Sequence, residues 1–202
     1  MGKRGLAAQL KGLRKMLAAP ADKIELRTVV PVFVPDGMAS PAWPGPVIPM
    51  RVPGLAVTWA ALMPDQTMRY VTHDMTRRWD KGDRDWREIS MENLADLPGG
   101  LSSHSFLRQD GSYFGAIMLH TDGVGPSRLL LNGLLEETFP DGYSCAIPER
   151  SVGVVLSASA TDEERAKVTE YVDRCYEGGT RPFLKGFFRP EDLVMRQPVD
   201  EV

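Results

Sequence analysis

Hydrophobic positions change period several times along the chain, and each change predicts an element. Leu6, Leu10, Leu13 and Leu17 recur at i, i+4, i+7 and i+11, one stripe of a helix. Residues 24–34 are rich in β-branched side chains and read as a strand broken by Pro31. Leu55–Leu62 and Thr67–Thr72 form a hairpin joined by Met63-Pro64-Asp65-Gln66. Asp74 to Trp79 reads as one helical turn. Asp83 or Asp85 then caps a helix in which Trp86, Ile89, Asn93 and Leu97 share a face and Leu94 flanks it, stopped by Pro98-Gly99-Gly100. Residues 101–112 show no period and read as loop or irregular edge, and Ser112–Leu119 is a strand.

The second half is more regular. Gly123-Val124-Gly125-Pro126 turns into a helix, with proline in the first turn, where helices accept it. Leu129, Leu130, Leu131, Leu134 and Leu135 make that helix apolar over most of its circumference and predict deep burial. Tyr143–Ile147 and Ser151–Ser157 are strands flanking Pro148-Glu149-Arg150. Thr161-Asp162-Glu163-Glu164 is a capping box that opens a helix with Val168, Tyr171, Val172, Cys175 and Tyr176 on one stripe. Hairpins dominate and no βαβα alternation is present, which predicts an α+β fold, a mainly antiparallel sheet with about three packed helices in a single domain. The expected divisions are a leader helix over residues 1–20, the α+β domain over 21–180 and a partly ordered tail over 181–202. Seven prolines between positions 31 and 53 predict a Pro-rich loop there, carrying Trp43 as an anchor on its own domain or on a partner.

Composition narrows the classes. With 43% hydrophobic and 25% charged residues in 202, the chain is neither disordered nor collagen-like, and no apolar run reaches 18 residues. Charge is unevenly placed. Residues 1–21 hold five cations (Lys3, Arg4, Lys11, Arg14, Lys15) and no acid, whereas the remainder sets 19 cations against 27 acids. The net charge of −3 argues against a surface built for nucleic acid. The leader stripe suits packing on its own domain, a partner's groove, or weak contact with anionic lipid. Lys11, Arg14 and Lys15 interrupt the leader before a secretory core is complete, and two cysteines are too few for a disulfide scaffold, so a cytoplasmic location is expected.

Three stretches carry a family likeness. They are Leu55-Ala56-Val57-Thr58-Trp59 through Met68-Arg69-Tyr70-Val71-Thr72-His73-Asp74-Met75; Trp79 followed by Ile89-Ser90-Met91-Glu92-Asn93-Leu94; and Asp122 through Ser127-Arg128-Leu129-Leu130 to Ala146-Ile147-Pro148-Glu149-Arg150-Ser151. Together, over about residues 47–175, they resemble the YtpQ-like family, bacterial proteins of uncharacterised function. Ser90 stands where the family helix carries alanine, and Ser151 where its turn carries an acid. The resemblance implies an α+β fold in one piece and no reaction.

Candidate chemistry is sparse. His104, His120 and Asp122, with Ser103, Ser105 or a metal-bound water as nucleophile, make the best hydrolase-type set if they converge. His73-Asp74 and His120-Thr121-Asp122 offer imidazole and carboxylate ligands, but no Cys-x-x-Cys spacing exists, and neither a metal nor a cofactor is expected. Cys145 lies mid-strand and Cys175 on an inner stripe. Gly123-Val124-Gly125-Pro126-Ser127-Arg128 is a weak phosphate pointer that reads better as a turn into a buried helix. Arg150 reads as a surface ion pair or rim contact. The expectation is therefore a non-catalytic protein-interaction or accessory domain that contacts its partner through Leu6, Leu10, Leu13 and Leu17 or through Trp43. A hydrolase using His104, His120 and Asp122, or a peripheral membrane protein held by the leader, stands as the alternative.

Overall fold

Two antiparallel sheets and four α-helices carry the fold in the computed structural model, which describes residues 24–65 and 67–193. The first sheet contains Val29–Pro35 (β1), Val47–Pro49 (β2), Leu55–Leu62 (β3) and Met68–Tyr70 (β4). β1 runs along the whole of one edge of β3, from Val29 opposite Ala61 to Pro35 opposite Leu55. β2 and β4 share the other edge, opposite residues 56–58 and 60–62. This central position buries β3 from Leu55 to Ala61, so its hydrophobic run is continuous rather than alternating.

The Pro-rich segment departs from expectation. Pro31 lies inside an unbroken β1, and Pro49 closes β2. Both strands pair on one side only, and an edge strand tolerates a residue without an N–H. Between the two strands the chain makes a 3-10 turn, Asp36–Met38, and then a loop up to β2.

His104–Leu107 (β5), Tyr113–Met118 (β6), Tyr143–Glu149 (β7) and Val152–Ser157 (β8) form the second sheet in the order β5-β6-β8-β7. β5 occupies the stretch that lacks a sequence period; as an exposed edge strand it has no apolar alternation to show. Alternation across this sheet separates two cores. Ala116, Met118, Cys145, Ile147 and Val155 join Val29, Val32, Val57 and Trp59 of the first sheet in one cluster. Ile117, Ala146, Val152, Val154 and Leu156 meet Val168 and Val172 on the opposite face.

The helices are His73–Trp79 (α1), Trp86–Ala95 (α2), Asn132–Thr138 (α3) and Asp162–Gly178 (α4). Asp85 caps α2 by accepting from the Arg87 N–H at 2.9 Å, and the Thr161–Glu164 capping box opens α4. The buried face of α2 is Trp86, Ser90 and Leu94, rotated from the expected Trp86–Ile89–Asn93–Leu97 stripe. Two buried indoles explain the rotation: Trp59 and Trp86 meet edge to face at 5.0 Å, and the Trp59 Nε1–H donates to Ser90 Oγ at 2.9 Å. The Leu-rich helix is split into a 3-10 segment, Gly125–Leu130, and α3, which leaves Leu134 42% exposed. The tail is better organised than expected. Residues 182–188 lie along β7, where Cys145 exchanges two backbone hydrogen bonds with Phe188 and Phe183 donates to the Pro148 carbonyl at 2.9 Å. The leader helix expected over residues 1–20, and the end of the tail beyond Leu193, lie outside the described residues.

Candidate functional site

His120 and Asp122 do come close to one another, but around a structural task. Three successive carbonyls of the Pro98-Gly99-Gly100 turn are each met by a side chain from the strand-to-helix segment after β6. Arg128 donates to Pro98 O at 3.3 Å and to Gly100 O at 3.0 Å, and His120 Nε2 lies 3.4 Å from Gly99 O. Arg128 is 1% exposed, and its charge is balanced by Asp122, whose two oxygens sit 2.7 and 3.4 Å from the guanidinium. Asp122 also accepts from the Val124 N–H at 2.9 Å. Gly99 and Gly100 have φ of +93° and +67°, and a Cβ on Gly99 would stand 3.1 Å from the His120 ring.

The imidazole of His120 donates from Nε2 in this arrangement, while Nδ1 is buried with no partner. Protonation would place a second N–H there without an acceptor. Burial first, and the nearby Arg128 second, accordingly hold its pKa below the ordinary histidine value. The nitrogen left to accept a proton, Nδ1, is buried, and Nε2 is already turned to Gly99.

His104 lies elsewhere in role. It is exposed on β5, opposite Ile117, with Nδ1 3.1 Å from Ser103 Oγ. That hydroxyl donates to Ile117 O at 3.0 Å and accepts from the Leu119 N–H at 3.0 Å, extending the β5–β6 ladder. Ser103 therefore has no free proton to transfer to His104. The Ser105 hydroxyl pairs with that of Ser102 at 3.2 Å. His73 begins α1 and donates its backbone N–H to Pro44 O. Among the described residues no group of three or more His, Cys, Asp or Glu is arranged to hold a metal ion. Cys145 and Cys175 are free thiols, and complete burial raises the Cys145 pKa far above its ordinary value.

Trp43 packs on its own domain. Its ring stands edge-on to Tyr70 at 4.8 Å, half-buried, with Nε1 buried and unpartnered. Leu6, Leu10, Leu13 and Leu17 lie outside the described residues.

A different group of residues forms a cleft with chemical character. Val32 and Phe33 of β1, Met68 and Tyr70 of β4, and the Gly123–Ser127 turn enclose about 150 Å³, closed on one side by Arg150 and Arg181. That volume equals about five water molecules at liquid density. Arg150 lies between β7 and β8, and Arg181 enters the tail; the Arg150 N–H donates to the Arg181 carbonyl at 3.2 Å, which fixes the two residues side by side. The Arg150 guanidinium also stands 5.9 Å from the Phe183 ring centroid. Neither arginine has an ion-pair partner among the described residues, and no carboxylate lines the cleft. The neighbouring Glu149 instead accepts from Ser151 and Thr180 hydroxyls at 3.3 and 3.2 Å. Two arginine side chains on one cleft without a carboxylate give it a positive potential that favours an anion.

Sequence reasoning passed over this cleft because its walls come from five separate stretches. The available signal was the cation at Pro148-Glu149-Arg150, a turn otherwise without reason to be basic. No protein-family model matches the chain, and comparison with curated proteins and with solved structures finds no match either. Among the described residues no helix is long and apolar enough to cross a membrane.

Proposed function

We propose that this chain is a non-catalytic interaction domain that takes an anionic side chain of a partner protein, carboxylate or phosphorylated, into the Arg150–Arg181 cleft. The observation that carries the reading is the pair of adjacent arginines left without a carboxylate at a cleft of side-chain size. Arginine suits this role because its planar fork matches both carboxylate and phosphate oxygens. Phe33, Tyr70 and Met68 supply an apolar wall for the aliphatic or aromatic part of the same segment. The polar groups that a hydrolase would need are engaged instead in holding the 98–100 turn and the β5–β6 ladder. A cytoplasmic setting accords with two unpaired thiols.

The test is fluorescence anisotropy with two labelled peptides, one carrying glutamates beside an aromatic residue and the other a phosphoserine in the same place. At least one peptide binds, and more weakly as salt rises. Arg150→Ala with Arg181→Ala weakens that binding about tenfold or more, equivalent to about 1.4 kcal/mol. Equal binding by the variant, or no binding of either peptide, overturns the reading.

A further inference from the structure

The Arg150–Arg181 cleft carries more apolar wall than its two cations require. Met68 and Tyr70 are two residues apart on β4, so their side chains stand on the same face of the sheet. Both line the cleft, beside Phe33 of β1. Each of the three is half-buried and keeps surface for a ligand. Two contacts fix this wall. Trp43 stands edge-on to Tyr70 at 4.8 Å, and the Met68 methyl lies over Gly123, where a Cβ would stand 2.9 Å from it. Gly123 has φ of +75°, so the turn carries no side chain beside the thioether. On the charged side, Arg150 is held by its N–H bond to the Arg181 carbonyl and by the Phe183 ring near its guanidinium.

Taking the cleft as the anion site proposed above, on which this step rests, we infer that the anion arrives on an aromatic ring. The ligand is an aryl phosphate, which in a partner protein is a phosphotyrosine. Room, wall and charge support this class. The cleft encloses about 150 Å³, and an apolar cavity of about that size admits a benzene ring. A ring placed there meets the Tyr70 ring and the Met68 sulfur, contacts that contribute beyond the area they bury. The phosphate of the ester carries a charge of about −1.5 to −2 at neutral pH, which balances two guanidinium groups where a carboxylate balances one. A serine phosphate has that charge but brings no ring. A glutamate brings neither, so both leave Tyr70 and Met68 facing water.

The test uses the full chain and four labelled peptides of one sequence that differ at a single position: phosphotyrosine, phosphoserine, glutamate or tyrosine. Anisotropy shows the phosphotyrosine peptide binding about tenfold or more tighter than the other three. Phenyl phosphate and methyl phosphate, monoesters that differ only in the organic group, then compete with it on the wild-type protein. Phenyl phosphate displaces the peptide at about a tenth or less of the methyl phosphate concentration. Tyr70→Val, which keeps a residue suited to a strand, weakens the phosphotyrosine peptide severalfold and leaves the phosphoserine peptide unchanged. Three results overturn this inference and leave the anion site standing: phosphoserine or glutamate binding as tightly as phosphotyrosine, with both lost in Arg150→Ala/Arg181→Ala; equal potency of the two monoesters; or unchanged phosphotyrosine binding in Tyr70→Val. Binding by none of the anionic peptides, full-strength binding of the tyrosine peptide, or binding indifferent to the double arginine variant overturns the anion site itself and this inference with it.

Discussion

Arg128 places its guanidinium 2.7 Å from Asp122 while reaching the carbonyls of Pro98 and Gly100, so one buried cation ties the end of β6 to the turn that follows α2. The pair sits at 1% and 19% side-chain exposure. Arg128→Met removes the cation, leaves the Pro98 and Gly100 carbonyls without their donor and leaves Asp122 with the Val124 N–H but no counter-charge. Breaking a buried pair from one side costs about 3–5 kcal/mol, and urea denaturation followed by tryptophan fluorescence measures it. A loss below 1 kcal/mol would show that water replaces the guanidinium.

His120 makes the same turn sensitive to acid. Its folded pKa lies below the unfolded value of about 6.5, so the unfolded chain binds the proton first. The stability it supports is complete above that pH and is lost as pH falls toward the folded value. Thermal melts of wild type and His120→Gln between pH 7.5 and 5 should diverge, with the wild type losing more. Parallel curves would assign the acid sensitivity to other groups.

Gly45 is a position where no side chain fits. A Cβ there would stand 1.9 Å from the Val71 carbonyl oxygen, a rigid backbone atom. Gly45→Ala must push the Pro44–Pro46 segment off the strand it covers, disturbing the Thr58 Oγ1–H bond to Pro46 O at 2.7 Å. Overpacking of this kind costs about 1–3 kcal/mol. Loss of hydrogen-exchange protection at Val71 and His73, whose N–H groups bond to Trp59 O and Pro44 O, locates the damage.

Ser90 receives the indole N–H of Trp59 and donates onward to Arg87 O at 2.7 Å. Ser90→Ala leaves a fully buried indole donor unpaired and should cost about 1–3 kcal/mol by chemical denaturation. Trp59→Phe removes the donor, so Ser90→Ala in that background should cost much less. Additive losses in the double variant would remove the hydrogen bond as the cause.

Much of the architecture was legible in the chain itself. The β-branched runs, the Thr161–Glu164 capping box, Asp85 and the Gly/Pro stops are local signals, and the local backbone obeys them. The errors share one cause. Pro31 reads as a strand breaker unless its strand is known to be an edge, and the α2 face is set by Trp59, 31 residues from Ser90 in sequence. The site was less legible than the fold. Asp122 and His120 are suitable groups for catalysis by type, and only the position of Arg128 and the 98–100 carbonyls shows them engaged.

Sequence alone determined the α+β class, most of the longer strands and helices and the separation of a basic leader from an acidic body, because helix period, strand period and charge are properties of neighbouring residues. Tertiary structure decided which polar groups are engaged and which are free. It alone brought Arg150 to Arg181. The reason is that partnership between side chains depends on distance in space, and chain folding makes that distance unrelated to separation along the backbone.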